Sequence, residues 1–558
     1  MGTAQISKRE SKRAAAAASD AAAPRGAWWQ STLAVAIVGQ LLLWAAFPPL
    51  EWAPLAWLAP VPWIWLVRLP ELNGKRPYLA LWFASFLFHL AAFYWVTLPH
   101  WATSFGLVAL SFYLALYFPV FIGLSRVAVQ RLRVPVIVAA PIVWIGLEFA
   151  KSHLLTGFNM GAIAHTQYRW PQVIQISDLA GGYGVSFLII FVAACLARML
   201  PVGGVRRTWW PLVPLTAVVA AVLAYGHWRL GQETTVSGPK VALVQGSIDI
   251  DMKHDPEEAE EIFLQYYGLS KDAAWEHPDL DLIVWPETMF RDVWRTFDPS
   301  FRLPKETKWT VADADAASRE NVSRLVAPLN TPFLIGIDTL HYRTGAVDHF
   351  NSALFTDRAG KVVGRYDKCH LVPFGEYVWF ADVFPWLYNL TPLHGGSLAG
   401  DGPSCIESGG VRYAPNICYE NTLPHFIRRQ VTELRAKGEE PQVLVNLTND
   451  GWFWGSAELD MHLACAVFRA VECRKPFLIA ANTGFSAVID SDGRIVKQGP
   501  RRDTAVLVER VGLDNRHSPY LDIGDWPAGL CLLATCGLVF VGWWDRRRRA
   551  KTGPISGQ

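Results

Sequence analysis

Apolar residues gather into long blocks over the first 230 positions and then thin into short runs. Seven blocks, at roughly 28–47, 53–70, 77–98, 104–125, 134–150, 180–199 and 210–228, approach the ~20 residues that an α-helix needs to cross a bilayer. An eighth covers about 525–544. Several contain proline, which membrane helices tolerate when neighbouring groups satisfy the freed carbonyls. Trp28, Trp29, Trp543 and Trp544 stand at block ends, as in an interfacial aromatic belt. The pattern predicts a polytopic α-helical membrane bundle of about eight helices: seven over 27–230 and the eighth over 524–545.

Between the seventh and eighth blocks the period changes. Short β-like runs, 240–245, 280–285, 333–337, 349–356, 362–366, 411–417, 443–447, 477–481 and 487–490, alternate with helical patterns near 256–275, 311–327, 426–434 and 456–473. Alternating strands and helices imply an α/β domain with its site at the carboxyl ends of strands. The segment 151–179, rich in aromatic and small residues, reads either as a surface entry route or as an ordinary ordered loop.

Composition agrees with the blocks: of 558 residues, 51% are hydrophobic, 18% are charged and 26 are Trp. Soluble chains carry roughly 25% charge, so part of this chain belongs in lipid. A net charge of +2 argues against nucleic acid as a partner. Basic residues set the orientation. Lys75 and Arg76, then Arg126, Arg131 and Arg133, then Arg198, Arg206 and Arg207, and finally Arg546–Arg549 follow the second, fourth, sixth and eighth blocks. The loops near Glu51 and His100 have none, while Lys151 and Arg169 are a mild exception. By the positive-inside rule both termini are cytoplasmic and 229–520 is exported. Residues 1–26 read as a disordered cytoplasmic tail and 546–558 as a basic one.

Three polar residues share one kind of position. Glu287 follows the run ending Trp285-Pro286, Lys368 follows Tyr366-Asp367, and Cys418 ends Val411–Ile417. If these strands share a sheet, a carboxylate, an ammonium and a thiol meet on one rim. That set suffices for acyl transfer through a thioester. Cys418 also precedes a helical pattern, whose N-terminus favours a thiolate. Taken singly, each has a plainer reading: a buried small hydrophobe, an exposed carboxylate and a solvated lysine. Asn449-Asp450 reads as a turn, and His370 and His462 as structural. The eight cysteines show no zinc spacing, so no metal or cofactor is expected.

Trp285-Pro286-Glu287, Tyr366-Asp367-Lys368 and Ile417-Cys418-Tyr419-Glu420 occur in the order found in the nitrilase (carbon–nitrogen hydrolase) superfamily, which the stretch 238–512 resembles. The run Lys368 to Tyr377, with Val244-Gln245-Gly246, Asn449 to Phe453 and Asn482 to Ser486, is similar to the apolipoprotein N-acyltransferase family, as is the layout of membrane helices around an exported domain. The resemblance implies an α-β-β-α sandwich. It also implies Glu287 as base, Lys368 as oxyanion stabiliser and Cys418 as nucleophile, supported by Glu376, Tyr419, Glu420, Asn449, Trp452 and Phe453. It implies a membrane phospholipid as acyl donor, the N-terminal diacylglyceryl-cysteine of an apolipoprotein as acceptor, a bacterial inner-membrane location with the catalytic domain periplasmic, and a monomer. His254, Trp454 and Cys369 depart from the family pattern.

Two other readings compete. A membrane-tethered amidase acting on a soluble substrate needs fewer helices than this chain offers. A transporter needs more intramembrane charge than His89 and Glu148 supply.

Overall fold

The computed structural model describes residues 30–202, 206–232, 235–303, 308, 310–381, 383–390 and 396–552. The tail expected at 1–26 and the last residues of the basic tail lie outside them. Four described helices are long and apolar enough to cross a bilayer by length and composition: Thr103–Arg131, Gly182–Met199, Leu212–Leu230 and Trp526–Arg548. The apolar helices Thr32–Ala46, Leu55–Arg68 and Pro77–Ala92 are shorter, and the fifth apolar block forms Val136–Lys151 with Pro141 inside it. The second block stays helical through Ala59, and Pro60 there removes one backbone N–H from the ladder.

Thirteen strands follow among the described residues. They are β1 (Thr235–Gln245), β2 (Leu282–Val284), β3 (Phe290–Phe297), β4 (Phe333–Arg343), β5 (Ala346–Thr356), β6 (Val362–Asp367), β7 (Ile406–Ser408), β8 (Val411–Ile417), β9 (Val443–Thr448), β10 (Phe477–Ala481), β11 (Ala487–Ile489), β12 (Ile495–Gln498) and β13 (Ala505–Asp514). One sheet runs β13-β1-β2-β4-β5-β6, with β3 also on β4; the other runs β12-β11-β10-β9-β8-β7. Alternation along each strand serves two faces. Val241 and Leu243 meet Tyr413, Ile417, Val445 and Leu447 between the sheets. Ala242 and Val244 pack outward on helices Ala259–Glu276 and Val311–Val326. On the far side Ala414, Leu444 and Ile479 pack on helices Pro424–Ala436 and Glu458–Cys473. The domain is therefore an α-β-β-α sandwich.

That last layer is also the seam with the membrane region, because one buried apolar cluster runs from Ala36 through Val467 to Leu521. The segment 151–179 forms the seam rather than a surface ribbon: Gln175 and Asp178 are fully buried. Arg474 donates to Asp178 Oδ2 at 2.6 Å and to Gln175 Oε1 at 2.7 Å, and pairs with Asp492 at 3.1 Å. Glu472 Oε1 accepts from Gly182 N at 2.8 Å. Asp178 keeps Arg229 at 2.7 Å when Arg474 is removed, but Gln175 Oε1 and the Ser491 carbonyl lose their buried donor, at about 1–3 kcal/mol for each group left unpaired. Arg474→Met therefore lowers the thermal midpoint of the detergent-purified protein by many degrees. The half-exposed Arg494→Met control stays near wild type. Equal midpoints for the two variants would contradict the seam's role.

Candidate active site

The three strand-end residues do converge, but from two sheets rather than one. β2 and β6 run parallel within the first sheet and carry Glu287 and Lys368 beyond the same edge. β8, in the second sheet, brings Cys418 to that rim. Alternating apolar runs look the same in either sheet, so the expectation of a shared sheet had nothing to correct it.

Glu287 is 8% exposed. Its Oε1 accepts from Asn351 Nδ2 at 2.7 Å and from Lys368 Nζ at 3.4 Å, and its Oε2 from Asn449 N at 3.0 Å. Lys368, 2% exposed, donates a shorter bond to Glu376 Oε1 at 2.9 Å. Glu376 Oε2 accepts from Val372 N at 2.8 Å, which fixes the loop after β6. Burial alone would lower the Lys368 ammonium's value, but Glu376, Glu287 and Cys418 outweigh it and hold the group well above the ordinary lysine range. A permanently charged donor is thus fixed beside the thiol.

Cys418 opens a one-turn 3-10 segment, Cys418–Thr422, with φ +51°. Left-handed backbone at a residue with a side chain costs on the order of 1–3 kcal/mol and persists only where its surroundings impose it. The imposing groups are visible: the Cys418 carbonyl accepts from Asn446 Nδ2 at 3.1 Å and from His462 Nε2 at 3.2 Å. Part of the residue stays open to the surface. Burial, with Glu287 and Asp450, pushes the thiol well above its ordinary value, against the pull of Lys368 and a Thr448 hydrogen bond. This corrects the expected helix-stabilised thiolate. The following helix starts only at Pro424, and Glu287 and Asp450 act on the thiol in the opposite sense. A neutral thiol needs a base at the moment of attack, and Glu287 is placed to be one.

Glu420 fixes the spacing of the two strand ends. It accepts from Ile417 N at 2.6 Å, Cys369 N at 2.7 Å, His370 N at 2.9 Å and Tyr366 Oη at 2.8 Å. Burial raises its carboxyl to about 7, against those donors. Tyr419 Oη donates to the Gly157 carbonyl at 2.9 Å, and Phe453 meets Trp95 edge-on at 5.0 Å between ring centroids. Both therefore face the membrane region. Trp452 lies half-buried on the same turn as Phe453, and the Asn449 side chain accepts from Gly451 N at 3.3 Å to start that turn. All eight cysteines are free thiols.

Asn351 and His462 carry no local sequence signal, and His462, read as structural, has partners that the sequence did not show. Its Nδ1 lies 3.1 Å from Asp450 Oδ1 and 4.0 Å from Glu458 Oε1. Those three side chains are the described cluster with metal-ligand geometry, their donor atoms within 4.8 Å. Burial opposes the imidazolium, yet Asp450 and Glu458 raise His462 to about 9, so the ring itself supplies the cluster's positive charge. A folded-state value raised above 6.5 contributes stability that is whole below pH 6.5 and lost as pH climbs through about 9. The thermal midpoint of the wild type is therefore expected to fall between pH 7 and 10 more steeply than that of His462→Gln. Parallel pH profiles would show that the ring is not charged at neutral pH.

Comparison with known proteins closes the argument. The model of the apolipoprotein N-acyltransferase N-terminal domain matches residues 39–195, and that of carbon-nitrogen hydrolase matches 240–516. The apolipoprotein N-acyltransferase of Rhodopirellula baltica is 31% identical over 92% of this chain and 97% of its own length. That of Geobacter metallireducens is 34% identical over 89% and 92%, and that of Bradyrhizobium diazoefficiens 31% over 81% and 81%. The chain belongs to the apolipoprotein N-acyltransferase family and is an acyltransferase.

Proposed function

We propose that this enzyme moves a fatty acyl chain from a membrane phospholipid to the free α-amine of an apolipoprotein's N-terminal diacylglyceryl-cysteine, through a thioester on Cys418. Glu287 takes the thiol proton as Sγ attacks the ester carbon. Lys368 stabilises the oxyanion, and its bond to Glu376 keeps it aimed. The C–O bond breaks and the same proton passes to the glycerol oxygen, releasing a lysophospholipid. In the second half the α-amine attacks the thioester carbon. Glu287 accepts a proton from the nitrogen, the C–S bond breaks, and the proton returns to the thiolate. Asn351 and the Asn449 N–H hold the carboxylate, Glu420 clamps the two strand ends, and Tyr419, Trp452 and Phe453 shape the approach.

The observation that carries this reading is the contact between the nucleophile's own turn and the membrane region, Tyr419 to Gly157. In addition, the loop after Lys368 exposes Phe374, Phe380, Val383, Phe384 and Trp386. Exposed large apolar side chains grouped on one loop suit a lipid contact. We read all eight apolar segments as crossings, 238–512 as the catalytic domain, and both termini as cytoplasmic. The catalytic domain then faces the periplasm of a bacterial inner membrane, and the chain works as a monomer without a cofactor.

Full-length protein incubated with phosphatidylethanolamine is expected to gain one acyl mass, and Cys418→Ala none. An adduct on the alanine variant would overturn the assignment. Glu287→Gln is expected to slow acylation about 10²–10⁴-fold, and Lys368→Met about 10²–10³-fold, as measured by the rate of lysophospholipid release.

A further inference from the structure

Beside the general base stand two cations that the mechanism above does not use. Lys253, on the short helix Ile250–His254, is 6% exposed, and its Nζ donates to Thr288 Oγ1, the hydroxyl next to Glu287. Arg291 lies where the β3–β4 register shifts between Phe290 and Val293. Such a bulge turns a side chain out of the normal alternation. Among the described residues neither forms an ion pair, and the Arg291 Nε is buried without a partner.

The neighbouring carboxylates are committed elsewhere. Glu287 is held by Asn351, Lys368 and Asn449. Asp338 bonds to His349 at 3.0 Å. A buried ammonium bonded only to a neutral hydroxyl is costly unless an anion arrives. The Lys253 value agrees: burial lowers it to about 8, the charges of Glu287 and Asp338 working against that and Arg291 with it. Arg291 sits in the bulge opposite Ile337 and Asp338, three residues beyond the Thr288 that Lys253 holds.

We infer that Lys253 and Arg291 form an anion subsite that receives the phosphodiester of the acyl donor next to Cys418. The inference rests on the proposed function, which supplies a substrate whose ester and phosphate share one glycerol. Guanidinium suits phosphate oxygens through its paired donors. The acceptor brings an amine, which two cations do not attract. The subsite therefore acts in the first half-reaction and not in the second.

The test separates the halves in full-length, detergent-purified protein. Acylation from phosphatidylethanolamine is followed by intact mass. Discharge of the isolated acyl-enzyme to a diacylglyceryl-cysteine peptide is then timed. Arg291→Gln and Lys253→Met are expected to slow acylation at subsaturating donor at least tenfold more than discharge, and Arg291→Lys, which keeps the charge but not the paired donors, to recover part of the loss. Proportional slowing of both halves, or no slowing, overturns the subsite. Should Lys253→Met not fold, the Arg291 pair decides alone. Inorganic phosphate is the second arm. Saturation of the site by millimolar phosphate, with acylation indifferent to Arg291, would assign it to free phosphate and also overturn the proposal. Failure of the wild type to take any acyl chain sinks the functional reading instead, so the two failures are distinguishable.

Discussion

Two sheets can present one active site only if their strand ends are held at a fixed separation, and here a single buried carboxylate holds them. Glu420 sits two residues beyond the nucleophile in the second sheet and collects donors from Tyr366, Cys369 and His370, which flank the lysine of the first. The same carboxylate takes the N–H of Ile417 from its own strand. Removing any one donor would leave the others, but removing the carboxylate would leave three buried N–H groups unpaired, each worth about 1–3 kcal/mol when buried without a partner. The spacing of nucleophile and ammonium is thus set by hydrogen bonds and not by apolar packing, which is tolerant of small shifts.

Around that clamp the site is built in opposition to its own electrostatics. Burial and the carboxylates of Glu287 and Asp450 raise the thiol's value against the pull of Lys368, so attack calls for a base. The left-handed turn at Cys418, held by Asn446 and His462 through the carbonyl, adds backbone strain to this restraint. An enzyme that meets water on one side and lipid on the other gains from a thiol that does not react by default.

Much of this could be read from the chain. Glu287, Lys368 and Cys418 stand at the ends of apolar runs, where strand-end placement has a period and a boundary to show it. Asn351 and His462 act from the middle of a strand and a helix, so only tertiary pairing reveals them. β3 escaped notice because its bulge puts Arg291 and Asp292 side by side and breaks the alternation a strand displays. β13 escaped too, although it pairs along nearly the whole of β1. The segment 151–179 read either as a surface entry route or as an ordinary ordered loop, yet its Gln175 and Asp178 meet Arg474 of the catalytic domain. The apolar blocks all fall on helices, of which four among the described residues are long and apolar enough to cross a bilayer.

Asp178 has two arginines within reach. Arg474 comes from the catalytic domain, 296 residues later in the chain, and Arg229 from the end of the helix Leu212–Leu230, 2.7 Å away. Synthesis runs from the N-terminus, so Arg229 emerges first, just before the catalytic domain is made. It can neutralise Asp178 while that domain is still an unfolded chain, sparing the membrane region an uncompensated charge. Arg474 then joins a pair that already exists, and the closure entropy of so long a loop is met by a docking site formed in advance. The second arginine thus gives the seam an order of assembly: membrane helices first, catalytic domain last.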